Sequence, residues 1–185
     1  MSNLVRRKIQ TEAGFSGNVA TQYGKLHEAN ALAEYLEFRQ QTEPQLSVQA
    51  SGLVISLSTP YLACSPDGIV STPSGRGIVE VKCPYCCRNT PLAAVASQQK
   101  TFLQLVDKKV SLKRGHAYYY QVQMALLVTN MQWADFVIWT PSELFVERLE
   151  RDDNLIATML PKLDKFYMEH LLLSLVAAQK PAPNK

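Results

Sequence analysis

Three charged residues have the types and spacing for hydrolytic chemistry. Ile78-Val-Glu-Val-Lys-Cys83 alternates apolar and charged positions. Residues two apart on a strand share a face, so Glu80 and Lys82 project together while Val79 and Val81 enter the opposite layer. Thirteen positions before Glu80 stands Asp67, in Ser65-Pro-Asp-Gly68. There Pro66 restricts the backbone and Gly68 tolerates a sharp bend. If the two segments pair as a hairpin, Asp67 arrives beside Glu80. Two converging carboxylates suit Mg²⁺, with Mn²⁺ able to substitute, because these ions prefer oxygen donors and keep positions open for water and phosphate. Such an ion polarises a phosphate and lowers the pKa of bound water, and a neighbouring ammonium offsets charge on the attacking oxygen. Phosphodiester hydrolysis is the matching reaction. A Glu-x-Lys triplet alone is usually an ion pair on the solvent face of a strand, and the Pro-Asp turn upstream is what raises the catalytic reading.

The elements that must position these groups follow from periodicity. Between residues 21 and 41, Leu26, Ala29, Leu32, Ala33 and Leu36 recur at three- and four-residue steps, which predicts an amphipathic helix ending before Pro44. Residues 46–57 alternate and are rich in β-branched side chains, predicting one or two strands. Residues 61–70 and 78–83 flank a loop of turn formers at 71–77 and predict a hairpin. A smaller hairpin is read at 102–113 around Asp107-Lys108, a helix at 117–130, and strands at 134–140 and 143–149. A last helix starts at Asp152 or Asp153, with Pro161 expected to kink or restart it. This order implies an α/β or α+β domain with a mixed central sheet flanked by helices. The expected organisation is an extension at 1–17, one domain at 18–176 and a disordered tail at 177–185 marked by Pro181 and Pro183.

A chain of 185 residues is long enough to bury a core without disulfides or a structural metal. Its 46% hydrophobic and 19% charged residues exclude the composition of a disordered protein. The net charge of +3 does not by itself announce a polyanion partner. The local patch Lys108, Lys109, Lys113, Arg114 and His116 fits a solvated hairpin surface or a phosphate-contacting one. No signal-type or membrane-spanning apolar run is present, so an intracellular protein without a membrane partner is expected. Cys83-x-x-Cys86-Cys87 has a spacing known from zinc and iron–sulfur sites. It would need Cys64 as fourth ligand and has no histidine pair nearby, so reduced thiols are expected.

Ser65-Pro-Asp-Gly-Ile-Val70, Val79-Glu-Val-Lys-Cys-Pro-Tyr85 and Tyr118-Tyr-Tyr-Gln-Val-Gln-Met124 resemble, in order and spacing, the motifs of the YqaJ / lambda-exonuclease family of viral-type recombination nucleases. That family lies within the PD-(D/E)xK superfamily, and the similarity runs over about residues 23–167. The resemblance implies a restriction-endonuclease-like fold and Mg²⁺-dependent degradation of linear duplex DNA. Carried over by motif, Asp67 and Glu80 bind metal with the Val81 carbonyl, Lys82 positions or activates the attacking water, and Gln121 completes the catalytic set. Glu28, in Gly24-Lys-Leu-His-Glu-Ala29, matches a helical glutamate that supports a second metal; without the match it reads as an exposed helix acid. Arg88 and Asn89 fall where family members approach DNA, and an exposed loop arginine is the competing reading. His116 is a phosphate contact or a helix-entry residue. Gln123 lies roughly 200° around the helix from Gln121 and is assigned to packing or to a DNA surface, as are the tyrosines. Implied partners are linear duplex DNA with a free end, with a second copy of the chain and a single-strand annealing protein as further candidates. Only 27 residues precede Glu28, fewer than in the phage enzymes, so the resemblance leaves ring assembly, strand polarity and 5′-phosphate preference open. The alternative function is an inactive nucleic-acid-binding module that retains the fold. The full acid, acid, lysine and glutamine set speaks against it, because phosphate binding alone does not call for clustered carboxylates.

Overall fold

In the computed structural model, which describes residues 17–179, the chain opens with helix α1 (Val19–Gln40). Asn18 starts it by accepting the Thr21 N–H at 2.9 Å, satisfying a donor that the first turn leaves free. Ala31 and Tyr35 form its buried stripe, with Tyr23, Leu32 and Leu36 partly covered. The apolar period is thus correct but the face is rotated, because Leu26 is 73% exposed and Ala29 and Ala33 also face outward. Tyr23, His27, Ala31 and Tyr35 step by four residues, and the polar-tipped rings of Tyr23, His27 and Tyr35 with the small Ala31 define the inward side.

Strands β1 (Ser47–Gln49), β2 (Val54–Ile55), β3 (Ala63–Cys64), β4 (Gly68–Thr72) and β5 (Gly75–Lys82) follow. After a 3₁₀ turn at Tyr85–Cys87 come α2 (Leu92–Ala96), β6 (Leu103–Val106), β7 (Lys109–Leu112) and α3 (Ala117–Thr129). Then come β8 (Trp133–Trp139) and β9 (Leu144–Glu150). The central sheet runs β1-β4-β5-β8-β9, and β2-β3 and β6-β7 are separate two-stranded ribbons. Only the β5–β8 pairing in the central sheet is parallel, so the sheet is mixed, as expected. Val79, Val81, Val137 and Trp139 pack with Ala31 and Tyr35 of α1. The opposite face carries Ile78, Phe136 and Ile138, and α3 covers it through a Tyr118–Phe136 ring contact at 6.1 Å.

Two turns differ from the sequence reading or sharpen it. The loop expected at 71–77 is a two-residue turn, because Thr72 already pairs with Gly75. Gly77 is a strand residue, and a Cβ there would stand 2.4 Å from the Trp133 ring of β8, so this glycine makes room for an indole. In the β6–β7 hairpin, Asp107 and Lys108 have φ of 50° and 64°, the left-handed pair whose twist matches the flanking strands. Helix α3 starts at His116, whose Nδ1 accepts from the Tyr118 N–H at 3.1 Å, and closes at left-handed Asn130. Helix α2 has no counterpart in the sequence reading, since five residues hold too little periodicity to register.

The described residues form two compact units, and the second, 153–179, is helical. It contains α4 (Asp153–Phe166), a wider π turn at Tyr167–Leu171, and α5 (Leu172–Gln179). Helix α4 continues through Pro161, because one missing N–H does not stop a helix of this length; the irregular turn comes later. No described helix is long and apolar enough to cross a membrane. Most of the expected extension, residues 1–16, and Pro181 and Pro183 lie outside the described residues.

Candidate active site

The β4–β5 ladder ends at the pair Gly68 and Val79. Asp67 stands just beyond it and uses a side-chain oxygen where a further strand residue would have offered a carbonyl, accepting the Val81 N–H at 2.6 Å. Gly68 is an ordinary strand residue and not the sharp bend read from the sequence. A Cβ on it would meet Val48 at 2.6 Å and Val79 at 3.0 Å, so its lack of a side chain lets the neighbouring strands close around the Asp67 position.

Glu80 is 3% exposed. Its Oε1 accepts from Lys82 Nζ at 2.5 Å and from Gln121 Nε2 at 2.5 Å. One strand therefore delivers the carboxylate and ammonium, and α3 reaches down to the same oxygen with its amide. Gln123 is fully buried and does something else: it donates to the Glu150 carbonyl at 2.9 Å and accepts the Asp152 N–H at 2.8 Å. It is a packing residue, as its angular offset requires. Glu28 projects from the exposed side of α1. It borders a cleft that Thr21, Lys25, Val81, Lys82, Tyr85 and Tyr118 also line.

Charge in this cluster is unbalanced. Burial pushes the Glu80 carboxyl above the usual range; Lys82 pulls it down and Asp67 pushes it up again. Burial also raises Asp67, against the Val81 N–H and Lys82. Glu28 is raised by partial desolvation and then by Asp67, with Lys82 and Lys25 opposing. Asp67 thus acts on both other carboxylates, and Lys82 opposes the rise at all three.

The other sequence candidates lie at its edge or elsewhere. Arg88 stacks on the Tyr85 ring with 3.7 Å to the centroid and donates to the Tyr85 carbonyl at 2.7 Å, beside the cleft; Asn89 is exposed. Lys113 donates to the Gln99 carbonyl at 2.8 Å and Arg114 to Glu147 at 3.0 Å. With His116, the cap of α3, they line a separate shallow recess. All four cysteines are free thiols. Cys86 and Cys87 Sγ are 3.6 Å apart, and Cys64 Sγ lies beside the Ala125 carbonyl. Burial pushes Cys64 and Cys83 up to about 11 and Cys87 up to about 12. Tyr118, grouped by the sequence reading with the tyrosines of packing or a DNA surface, lines the cleft, and Lys82 Nζ is 5.2 Å from its ring centroid. Its signal was the three-residue step to Gln121, which puts both on one helix face.

Residues 2–132 match the family model of the YqaJ-like viral recombinase domain. The structure is similar to the alkaline exonuclease LHK-Exo from Laribacter hongkongensis, with a TM-score of 0.66 and 26% identity over 95% of this chain and 79% of that one. It is likewise similar to LHK-Exo in complex with dAMP, with a TM-score of 0.64 and 25% identity over 95% of this chain and 82% of that one. No curated protein sequence matches the chain. The family match spans the α1 glutamate, the β4–β5 hairpin and the glutamines of α3, and on it this chain belongs to the family of YqaJ-like viral recombinase domains.

Proposed function

We propose that the protein is a divalent-metal-dependent exonuclease acting on linear duplex DNA, with Asp67, Glu80, Lys82 and Gln121 as its catalytic set. The observation that carries this reading is the Asp67 carboxylate on the Val81 N–H, near enough to Glu80 to push its pKa up, with Lys82 and Gln121 bound to Glu80. Similarity to an alkaline exonuclease, and to that enzyme holding dAMP, supports the reaction class and a nucleotide seat.

The donors fit a hard divalent ion. N–H and C=O of one strand residue point to the same edge, so the Val81 carbonyl points toward Asp67 as its N–H does. Two carboxylates and one carbonyl leave an Mg²⁺ or Mn²⁺ ion several positions for water and phosphate. Among the described residues no three His, Cys, Asp or Glu side chains are grouped to hold a metal ion, so the Val81 carbonyl and solvent would have to complete the two-carboxylate set. Burial raises all three carboxylates, with neighbouring carboxylates adding to it at Glu80 and Glu28, and a bound cation would favour their ionised forms. Asp67, Glu80 and the Val81 carbonyl would hold the ion, and Glu28 would support a second from α1. When bound, the metal supplies a Lewis acid for the scissile phosphate and a lowered pKa for its water. Lys82 orients the attacking water and offsets charge on it, and Gln121 fixes the Glu80 carboxylate. Arg88 and Asn89 contact the DNA backbone beside the cleft. Lys113, Arg114 and His116 contribute less, because they line a separate recess.

Incubating linear and covalently closed circular duplexes with Mg²⁺, Mn²⁺ or EDTA tests this. Loss of the linear duplex with either metal, arrest by EDTA and survival of the circle are expected. Nicking of the circle would overturn the exonuclease reading, and inertness toward every DNA with metal present would overturn the nuclease reading.

A further inference from the structure

Lys82 has two neighbours of different kinds, a carboxylate and a ring. Its ammonium rests on Glu80 Oε1. On the reading proposed above, that carboxylate also holds a cation, and a carboxylate shared with a divalent ion holds an ammonium less strongly. A lysine on a flexible four-carbon stem then gains freedom to swing into water, and ordering it again costs entropy. An aromatic face offers an attraction that a metal does not use up.

We infer that Tyr118 is the positioning residue for Lys82, its ring face keeping the ammonium in the cleft when Glu80 engages metal. The ammonium lies 5.2 Å from the ring centroid, within the roughly 6 Å over which such contacts attract. The ring is itself held by Phe102 at 5.4 Å, His116 at 4.7 Å and Phe136 at 6.1 Å between centroids. Its backbone N–H is taken by the His116 cap, so the residue is fixed at both main chain and side chain. One turn along the same face, Gln121 binds Glu80. The first turns of α3 therefore hold both members of the Glu80–Lys82 pair, each through a contact of its own. Lys82 draws the Tyr118 hydroxyl pKa down against the larger upward push of burial, so the two groups are electrostatically coupled as well as adjacent.

Single-turnover cleavage of a linear duplex at saturating Mg²⁺ decides the matter for wild type, Lys82→Ala, Tyr118→Phe, Tyr118→Leu and the Lys82→Ala/Tyr118→Leu double variant. Tyr118→Phe keeps the ring and should stay within about threefold of wild type. Tyr118→Leu should slow the chemical step roughly tenfold, the scale of a partly desolvated cation–π contact. Its duplex KM and Mn²⁺ affinity should stay within about twofold. In the Lys82→Ala background the same leucine should cost nothing further, because the group it acts through is gone. Phenylalanines of increasing fluorination at position 118 keep the shape and drain the face, so the rate should fall stepwise across that series even if the leucine variant folds poorly. A flat fluorination series, or an undiminished loss in the double variant, would overturn the positioning role while leaving the site intact. A Lys82→Ala variant that cleaves normally would overturn the reading of the site and this inference with it.

Discussion

Two buried carboxylates stand one strand apart in the central sheet and have opposite surroundings. Asp135 on β8 pairs in register with Val79, and Glu80 pairs with Phe136, so the two acids face opposite layers. Asp135, fully buried, is saturated. It accepts the Tyr35 hydroxyl at 2.6 Å and two bonds from Arg148 at 2.9 and 3.1 Å, with Arg39 at 3.8 Å. Arg148 in turn lies 3.7 Å over Trp133, the ring for which Gly77 leaves room. Around Glu80 the balance is reversed: Asp67 and Glu28 add negative charge, and Lys82 is the cation that acts on all three carboxylates. A buried charge that its own fold neutralises serves architecture, whereas one left in excess beside an open cleft is ready for a cation from outside.

Exchanging the two fates is the most severe test. Asp67→Asn keeps an oxygen for the Val81 N–H but removes a metal-binding charge. Cleavage should vanish and Mn²⁺ binding by calorimetry should collapse, while thermal stability holds or rises. Asp135→Ala should do the reverse, leaving the buried Tyr35 hydroxyl without its acceptor and the solvent-facing Arg148 without its partner, and lowering unfolding stability by about 1–3 kcal/mol in denaturant titrations. Mn²⁺ affinity of the folded fraction should stay intact. If Asp135→Ala abolished metal binding at full stability, the division between the two clusters would fall.

Lys82→Ala comes next in size. It removes an electrostatic stabiliser and no metal ligand, so the cleavage rate should drop about a hundred- to a thousandfold at saturating Mg²⁺, with calorimetric Mn²⁺ affinity retained. A wild-type rate would return Glu80 and Lys82 to an ordinary strand ion pair.

The readable and unreadable parts of this molecule divide along the same line. Glu80, Lys82 and Asp67 could be placed together from the strand period and the hairpin alone, because both are local rules. Gln121 needed the resemblance, since sequence does not say that α3 lies over β5; the offset of Gln123 was local and was correct. The Asp135 cluster went unseen because Tyr35, Arg148 and Asp135 are far apart in the chain and only the sheet topology joins them. Gly68 and Gly77 were taken for turn formers, their commonest use, when both answer to side chains from neighbouring strands. The rotated face of α1 has the same origin: periodicity reports how often apolar residues recur, and tertiary packing chooses which rings go inward.

The smallest effect is one of pH, and it sharpens the comparison at Asp67. Burial raises the folded-state pKa of this carboxyl above its ordinary value, more than the Val81 N–H and Lys82 lower it. The folded protein therefore binds this proton more tightly than the unfolded chain. The stabilising contribution is fully present below the ordinary carboxylate pKa of about 4 and is lost as pH rises through the raised value. Above that raised value the charge costs stability. Asp67→Asn should thus melt higher than wild type at neutral pH without metal, and the gap should close as pH falls toward about 4. Excess Mn²⁺ should invert the order at neutral pH, since only wild type gains from binding, by about 2.7 kcal/mol at a hundred times the dissociation constant. Calorimetric melting with and without Mn²⁺ across this range reads both effects. A gap independent of pH would mean that the amide acts through packing, and equal stabilisation of both proteins by Mn²⁺ would move the metal away from Asp67.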